Sequence, residues 1–75
     1  MTIQCFGKLH ILFPNGIVLE SNPKDTQTLM SVLKTTYPIL QGENFSIAVN
    51  KKLMTENGSI REGDEVALLP PFSGG

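Results

Sequence analysis

Few side chains in this 75-residue sequence stand where they could do chemistry. Cys5 is alone, so it forms no intramolecular disulfide, and no Cys-x-x-Cys pair exists to hold a metal. Alternation along Thr2-Ile3-Gln4-Cys5-Phe6 turns Cys5 inward, where a thiol behaves as a small hydrophobe and nothing nearby lowers its pKa. His10 has no Cys, His or carboxylate at ligand spacing and reads as a turn or surface residue. Asp64 and Glu65 resemble a carboxylate pair, but neighbours on a strand point to opposite faces. Lys51-Lys52 reads as a solvated turn, and Gly58 and Gly63 as turn glycines too isolated to cradle phosphate. No metal site and no bound cofactor are expected.

The final six residues, Pro70-Pro71-Phe72-Ser73-Gly74-Gly75, are different. Two prolines fix φ and favour an extended run away from the body of the chain. Gly74 and Gly75 lack a Cβ, so their backbone passes through a channel that any side chain would block. The expected shape is a stiff stem with a thin tip, suited to insertion into another protein's narrow pocket. The reacting group is then the terminal carboxylate of Gly75. A carboxylate resists nucleophiles until its oxygen becomes a leaving group, which adenylation by ATP achieves. The activated acyl group then accepts sulfur or passes to an amine.

The elements that must carry this tail follow from periodicity. Thr2–Phe6 reads as a first strand stopped by Gly7, and Ile17–Glu20 as a second, antiparallel to it across the turn signal Pro14-Asn15-Gly16. Between them Lys8–Phe13 fits either a helical turn or more strand. Asp25 or Thr26 caps a helix carrying Leu29, Val32, Leu33 and Thr36 at helical spacing. Pro38 ends it at or before Tyr37. Ile39–Asn44 reads as a loop, Phe45–Val49 as the best strand, Asn50-Lys51-Lys52 as a turn, and Leu53-Met54 as a short strand. Turns at Asn57-Gly58 and Glu62-Gly63-Asp64 flank Ile60, and Glu65–Leu69 is the last strand. The order β-β-α-β-β-β predicts an α+β domain over residues 1–69, with an extended tail over 70–75.

Strand parity divides the sheet residues into two faces. The helix is expected over Ile3, Ile47, Val49, Val66 and Leu68. Phe6 and Leu69 then fall on the uncovered face, among the small Ala48 and Ala67. That is an apolar patch where a solitary domain is usually polar.

Size and composition set the remaining bounds. The chain is about half the usual length per domain, too short for both a core and a deep, walled active site, so a stand-alone enzyme is not expected. Hydrophobic residues are 40% and charged residues 17%, with a formal net charge of −1. No basic footprint for nucleic acid is present. The sequence holds no apolar run near the roughly 20 residues that span a bilayer, and no signal-peptide pattern. Small secreted domains lean on disulfides, so a cytoplasmic location is expected.

The ending Leu68-Leu69-Pro70-Pro71-Phe72-Ser73-Gly74-Gly75 closely resembles the sulfur-carrier small subunits of molybdopterin synthase, the MoaD type of the MoaD/ThiS ubiquitin-like family. Cys5-Phe6-Gly7, Ile47-Ala48-Val49-Asn50 and Glu62-Gly63-Asp64-Glu65-Val66-Ala67 fit the resemblance in order along the chain. It implies a β-grasp fold with a mixed sheet and one main helix on one face. It also implies that a ubiquitin-activating-type enzyme adenylates Gly75 with ATP, and that a sulfur donor protein supplies persulfide sulfur to make a thiocarboxylate. The tail would then enter the large subunit of molybdopterin synthase, in a heterotetramer of two small and two large subunits. There it would give sulfur to cyclic pyranopterin monophosphate. The resemblance further implies that the open sheet face docks on partners, with Leu53 joining Phe6 and Leu69 as anchors. The sequence departs from the family where members often carry Arg-Glu after the first strand; His10 and Ile11 stand there.

Three other readings share these features. Thiamine-pathway sulfur carriers have the same fold and Gly-Gly end but usually lack the proline pair. A ubiquitin-like modifier would join Gly75 to lysines of other proteins. A plain β-grasp interaction module would carry an incidental Gly-Gly end.

Overall fold

The computed structural model describes residues 1–71. The chain forms β1 (Thr2–Cys5), α1 (Lys8–Leu12), β2 (Ile17–Val18), α2 (Thr26–Thr36), a 3₁₀ helix (Pro38–Gly42), β3 (Ser46–Val49), β4 (Lys52–Leu53) and β5 (Val66–Leu69). The sheet order is β2-β1-β5-β3-β4. β1 and β5 run parallel at its centre, and every other pair is antiparallel. This mixed sheet, with α2 as the one main helix, is a β-grasp fold.

The helix covers the face that parity selects. Ile3, Ile47, Val49, Val66 and Leu68 are all buried, in one cluster with Leu29 and Leu33 of α2. Burial of each large aliphatic side chain contributes roughly 1.5–3 kcal/mol. Cys5 joins the same core, as expected. Thr36, placed by spacing on the helix stripe, is exposed instead. The last turn of α2 runs past the edge of the core, and Leu40 of the following 3₁₀ helix fills that end.

Several local expectations change. Lys8–Leu12 is a helix, because Leu9, Leu12 and Phe13 at i, i+3 and i+4 turn inward while Ile11 is 78% exposed. Pro38–Gly42, expected as loop, is the 3₁₀ helix. β2 spans fewer residues than expected, yet Met1 and Leu19 extend its pairing by exchanging backbone bonds of 2.7 and 2.8 Å. The β3–β4 hairpin turns on Asn50 and Lys51 alone, at φ 52° and 68°, so Lys52 belongs to β4. Among the described residues no helix is long and apolar enough to cross a membrane.

Candidate functional site

Parallel pairing of β1 with β5 places the ends of both strands together. Cys5 stands beside Leu68, and the Phe6 amide donates to the Leu68 carbonyl at 3.1 Å. The chain therefore leaves β5 next to Phe6-Gly7-Lys8. Pro70 rests on Gly7, whose φ of +61° suits glycine and whose missing Cβ would lie only 3.0 Å from Pro70 Cγ. Pro70 and Pro71 are exposed and form no regular element. Together with Lys8, Leu9, Gly42 and Glu43 they line a groove at the root of the tail. Lys8 Nζ makes an ion pair of 2.8 Å with Glu43 Oε1 across it. The remaining tail residues Phe72, Ser73, Gly74 and Gly75, including the expected reacting end, lie outside the described residues.

The open sheet face is read from the strand registers. Leu53, Ala48, Ala67 and Gln4 form one row across β4, β3, β5 and β1. The neighbouring row, toward the tail, holds Ser46, Leu69 and Phe6. Phe6 is 45% exposed, and Leu53 and Leu69 are half-buried. Ala48 is buried although no helix covers it, because a methyl group is shaded by the larger Leu53 beside it and the strands on either side. At about 4.8 Å per strand and about 3.3 Å per residue the patch runs roughly 16 Å diagonally from Phe6 to Leu53. Its apolar centre lies directly beside the root of the tail.

Of the other candidate groups, His10 lines a cleft with Gln4 and Phe6 at the β1 side of this face. Cys5 faces the core, and desolvation by burial pushes its thiol pKa up, away from the reactive thiolate. His10 is exposed on α1, and Lys51 and Lys52 sit at the β3–β4 hairpin, at the end of the sheet away from the tail. Asp64 accepts from the Asn50 side-chain amide and the Arg61 backbone amide, so no carboxylate pair with Glu65 forms. Among the described residues no group of His, Cys, Asp and Glu is placed to hold a metal ion.

The ThiS family model matches residues 3–75, nearly the whole chain and through the Gly-Gly end. The chain belongs to the ThiS family. ThiS-family proteins are small ubiquitin-like sulfur carriers. The exposed proline stem leaves the end of β5, the central strand of the sheet, beside β1. Spacing did not disclose the Lys8–Glu43 pair, since its partners are far apart in sequence and meet only when the 3₁₀ helix packs beside α1.

Proposed function

We propose that this chain is the sulfur-carrier subunit of a cytoplasmic molybdopterin synthase. A ubiquitin-activating-type enzyme joins the Gly75 carboxylate to AMP, and a sulfur donor protein replaces AMP with sulfur. The thiocarboxylate is ionised at neutral pH, soft and nucleophilic. The tail Pro70–Gly75 carries it into the active site of the large subunit, in an assembly of two small and two large subunits. There its sulfur builds the dithiolene of molybdopterin from cyclic pyranopterin monophosphate. Phe6, Leu53 and Leu69 anchor the docking face.

The observation that carries this reading is the Pro70-Pro71 pair between the last strand and Gly74-Gly75. It stiffens the stem as the molybdopterin carriers do, and thiamine-pathway carriers usually lack it. The test has two stages. The chain is incubated with ATP, an adenylating enzyme and a sulfur donor, and intact mass should rise by the exchange of one oxygen for sulfur at Gly75. The product is then offered to a molybdopterin synthase large subunit with cyclic pyranopterin monophosphate, and to the thiamine-pathway acceptor. Sulfur transfer to the pterin alone is expected; transfer only to the thiamine acceptor overturns the pathway. A covalent ladder on other proteins would identify a modifier. Deleting Gly75 should end sulfur loading while leaving the fold unchanged by circular dichroism; a plain binding module would keep its activity.

A further inference from the structure

Beside α2, the start of β3 presents a stretch of sheet edge that no strand covers. Backbone groups along an antiparallel strand alternate between its two neighbours. The Asn50 amide donates to the Glu65 carbonyl on the β5 side, whereas the Met54 amide donates to the Ile47 carbonyl at 2.9 Å. Ile47, and with it Phe45, therefore turns its backbone groups toward the β4 side. β4 ends at Leu53, however, and the chain bends at Thr55-Glu56. The Phe45 amide and carbonyl make no backbone bond among the described residues. Phe45 lines a cleft of ≈ 510 Å³ bounded by α2, residues 45–47 and residues 54–57.

The chemistry of the lining is narrow. Met30, Phe45 and Met54 are partly buried against the core, and two flexible thioethers beside a ring make an adaptable apolar wall. Glu56 is the one charged residue of the lining. It is exposed and has no ion pair among the described residues. Each feature specifies part of an occupant. A bare strand edge takes extended backbone by addition of a strand. The wall takes apolar side chains at every second position of that strand. The carboxylate takes a cation.

We propose that this cleft docks an extended segment of another protein, in which Lys or Arg precedes alternating apolar residues. Added antiparallel to β3, the segment starts at the Thr55-Glu56 bend, so its basic residue comes first and meets Glu56. Its apolar residues face α2, and the one opposite Phe45 exchanges both backbone bonds with it. This docking does not depend on the chemistry of the tail.

The probe is the acetylated and amidated pentapeptide Arg-Val-Thr-Val-Thr, titrated into the isotopically labelled full chain and followed by NMR. The largest amide shifts are expected at Phe45, Ile47 and Glu56. N-methylation of both valines removes their donors, keeps side chains and charge, and should abolish the shifts. Replacing the arginine by glutamine should weaken binding roughly two- to five-fold, the range expected for a surface ion pair. Glu56→Gln should erase that preference. Ser31→Tyr, at an exposed position of α2 on the cleft, should abolish binding by filling it, and circular dichroism reports the fold of each variant. Undiminished binding of the N-methylated peptide overturns strand addition. Absence of shifts at these residues with millimolar peptide overturns the site. A preference for arginine that survives Glu56→Gln overturns the charge contact. Sedimentation of the chain alone should show a monomer; a dimer joined through this cleft would make the occupant a second copy and overturn the partner.

Discussion

Asn50 shows how much one side chain can organise. Its φ of 52° lies in the left-handed region, which asparagine tolerates better than most residues. Its amide then bridges two strands' ends: Nδ2 donates to Asp64 Oδ1 at 3.0 Å, and Oδ1 accepts from the Glu65 amide at 2.9 Å. Asn50→Gly keeps the backbone and should cost about 1 kcal/mol for the lost bonds. Asn50→Ala adds backbone strain and should cost about 2 kcal/mol, both read by urea denaturation. Asp64 also accepts from the Arg61 amide at 2.7 Å; that bond, then the one from Asn50, holds its carboxyl below the ordinary value. The Asp25 carboxyl is lowered in the same way by Thr28. Both therefore bind a proton less readily folded than unfolded. Their contribution is fully present above the ordinary carboxylate range of about 4 and is lost as pH falls through it toward the lower folded values. Thermal unfolding followed from pH 7 downward should show this loss, and Asp25→Asn with Asp64→Asn should flatten it.

Helix α2 illustrates what a single element needs from the rest of the chain. Its first three amides have no partners within the helix. The Thr28 amide finds Asp25 Oδ1 at 2.7 Å, the local cap that the sequence announces. The Gln27 amide instead donates to Asn57 Oδ1 at 2.9 Å, and the Thr26 amide to the Gly58 carbonyl at 2.9 Å. The Gly58 amide returns a bond to Thr26 Oγ1 at 3.0 Å, so helix and loop cap each other. Asn57→Ala should therefore destabilise the chain by about 1 kcal/mol, much as loss of an N-cap does, although residue 57 lies outside the helix. Chemical denaturation beside Asp25→Ala checks this, and an effect near zero would remove Asn57 from the cap. Asn57-Gly58, expected as a turn, follows a bend at Thr55-Glu56 and forms no turn itself; its service to α2 was not legible, because the partners stand 30 residues apart. The Lys8–Leu12 helix was ambiguous for a different reason: one inward turn of a helix and a short strand both bury few residues.

At the scale of the whole molecule, one step along β5 separates the core from the proposed docking face. Leu68 faces α2 and is fully buried, while Leu69 faces away beside Phe6. Leu68→Ala should cost about 2–5 kcal/mol and lower the unfolding midpoint. Leu69→Asp should leave the chain folded but abolish binding to the molybdopterin synthase large subunit, measured by calorimetry. Unchanged affinity would remove the open face from the docking model. The two faces were legible because period-two alternation survives in β1 and β5, although β3 breaks it with Ala48 buried between Ile47 and Val49. How the rows adjoin was not, since only the parallel β1–β5 register brings Phe6 next to Leu69 and the root of the tail.

The sequence by itself determined most of the strands, the main helix and the two faces of the sheet, because these are properties of residues and of short-range periodicity. It also carried the resemblance to the MoaD/ThiS ubiquitin-like family, which the ThiS family match supports across residues 3–75. Tertiary structure decided what depends on distant residues meeting. Asn57 caps α2, Asn50 locks Asp64 and Glu65, Ala48 is shaded by its neighbours, and Glu43 reaches Lys8 beneath the prolines. Each is a contact between segments remote along the chain, and no local pattern encodes where such segments will cross.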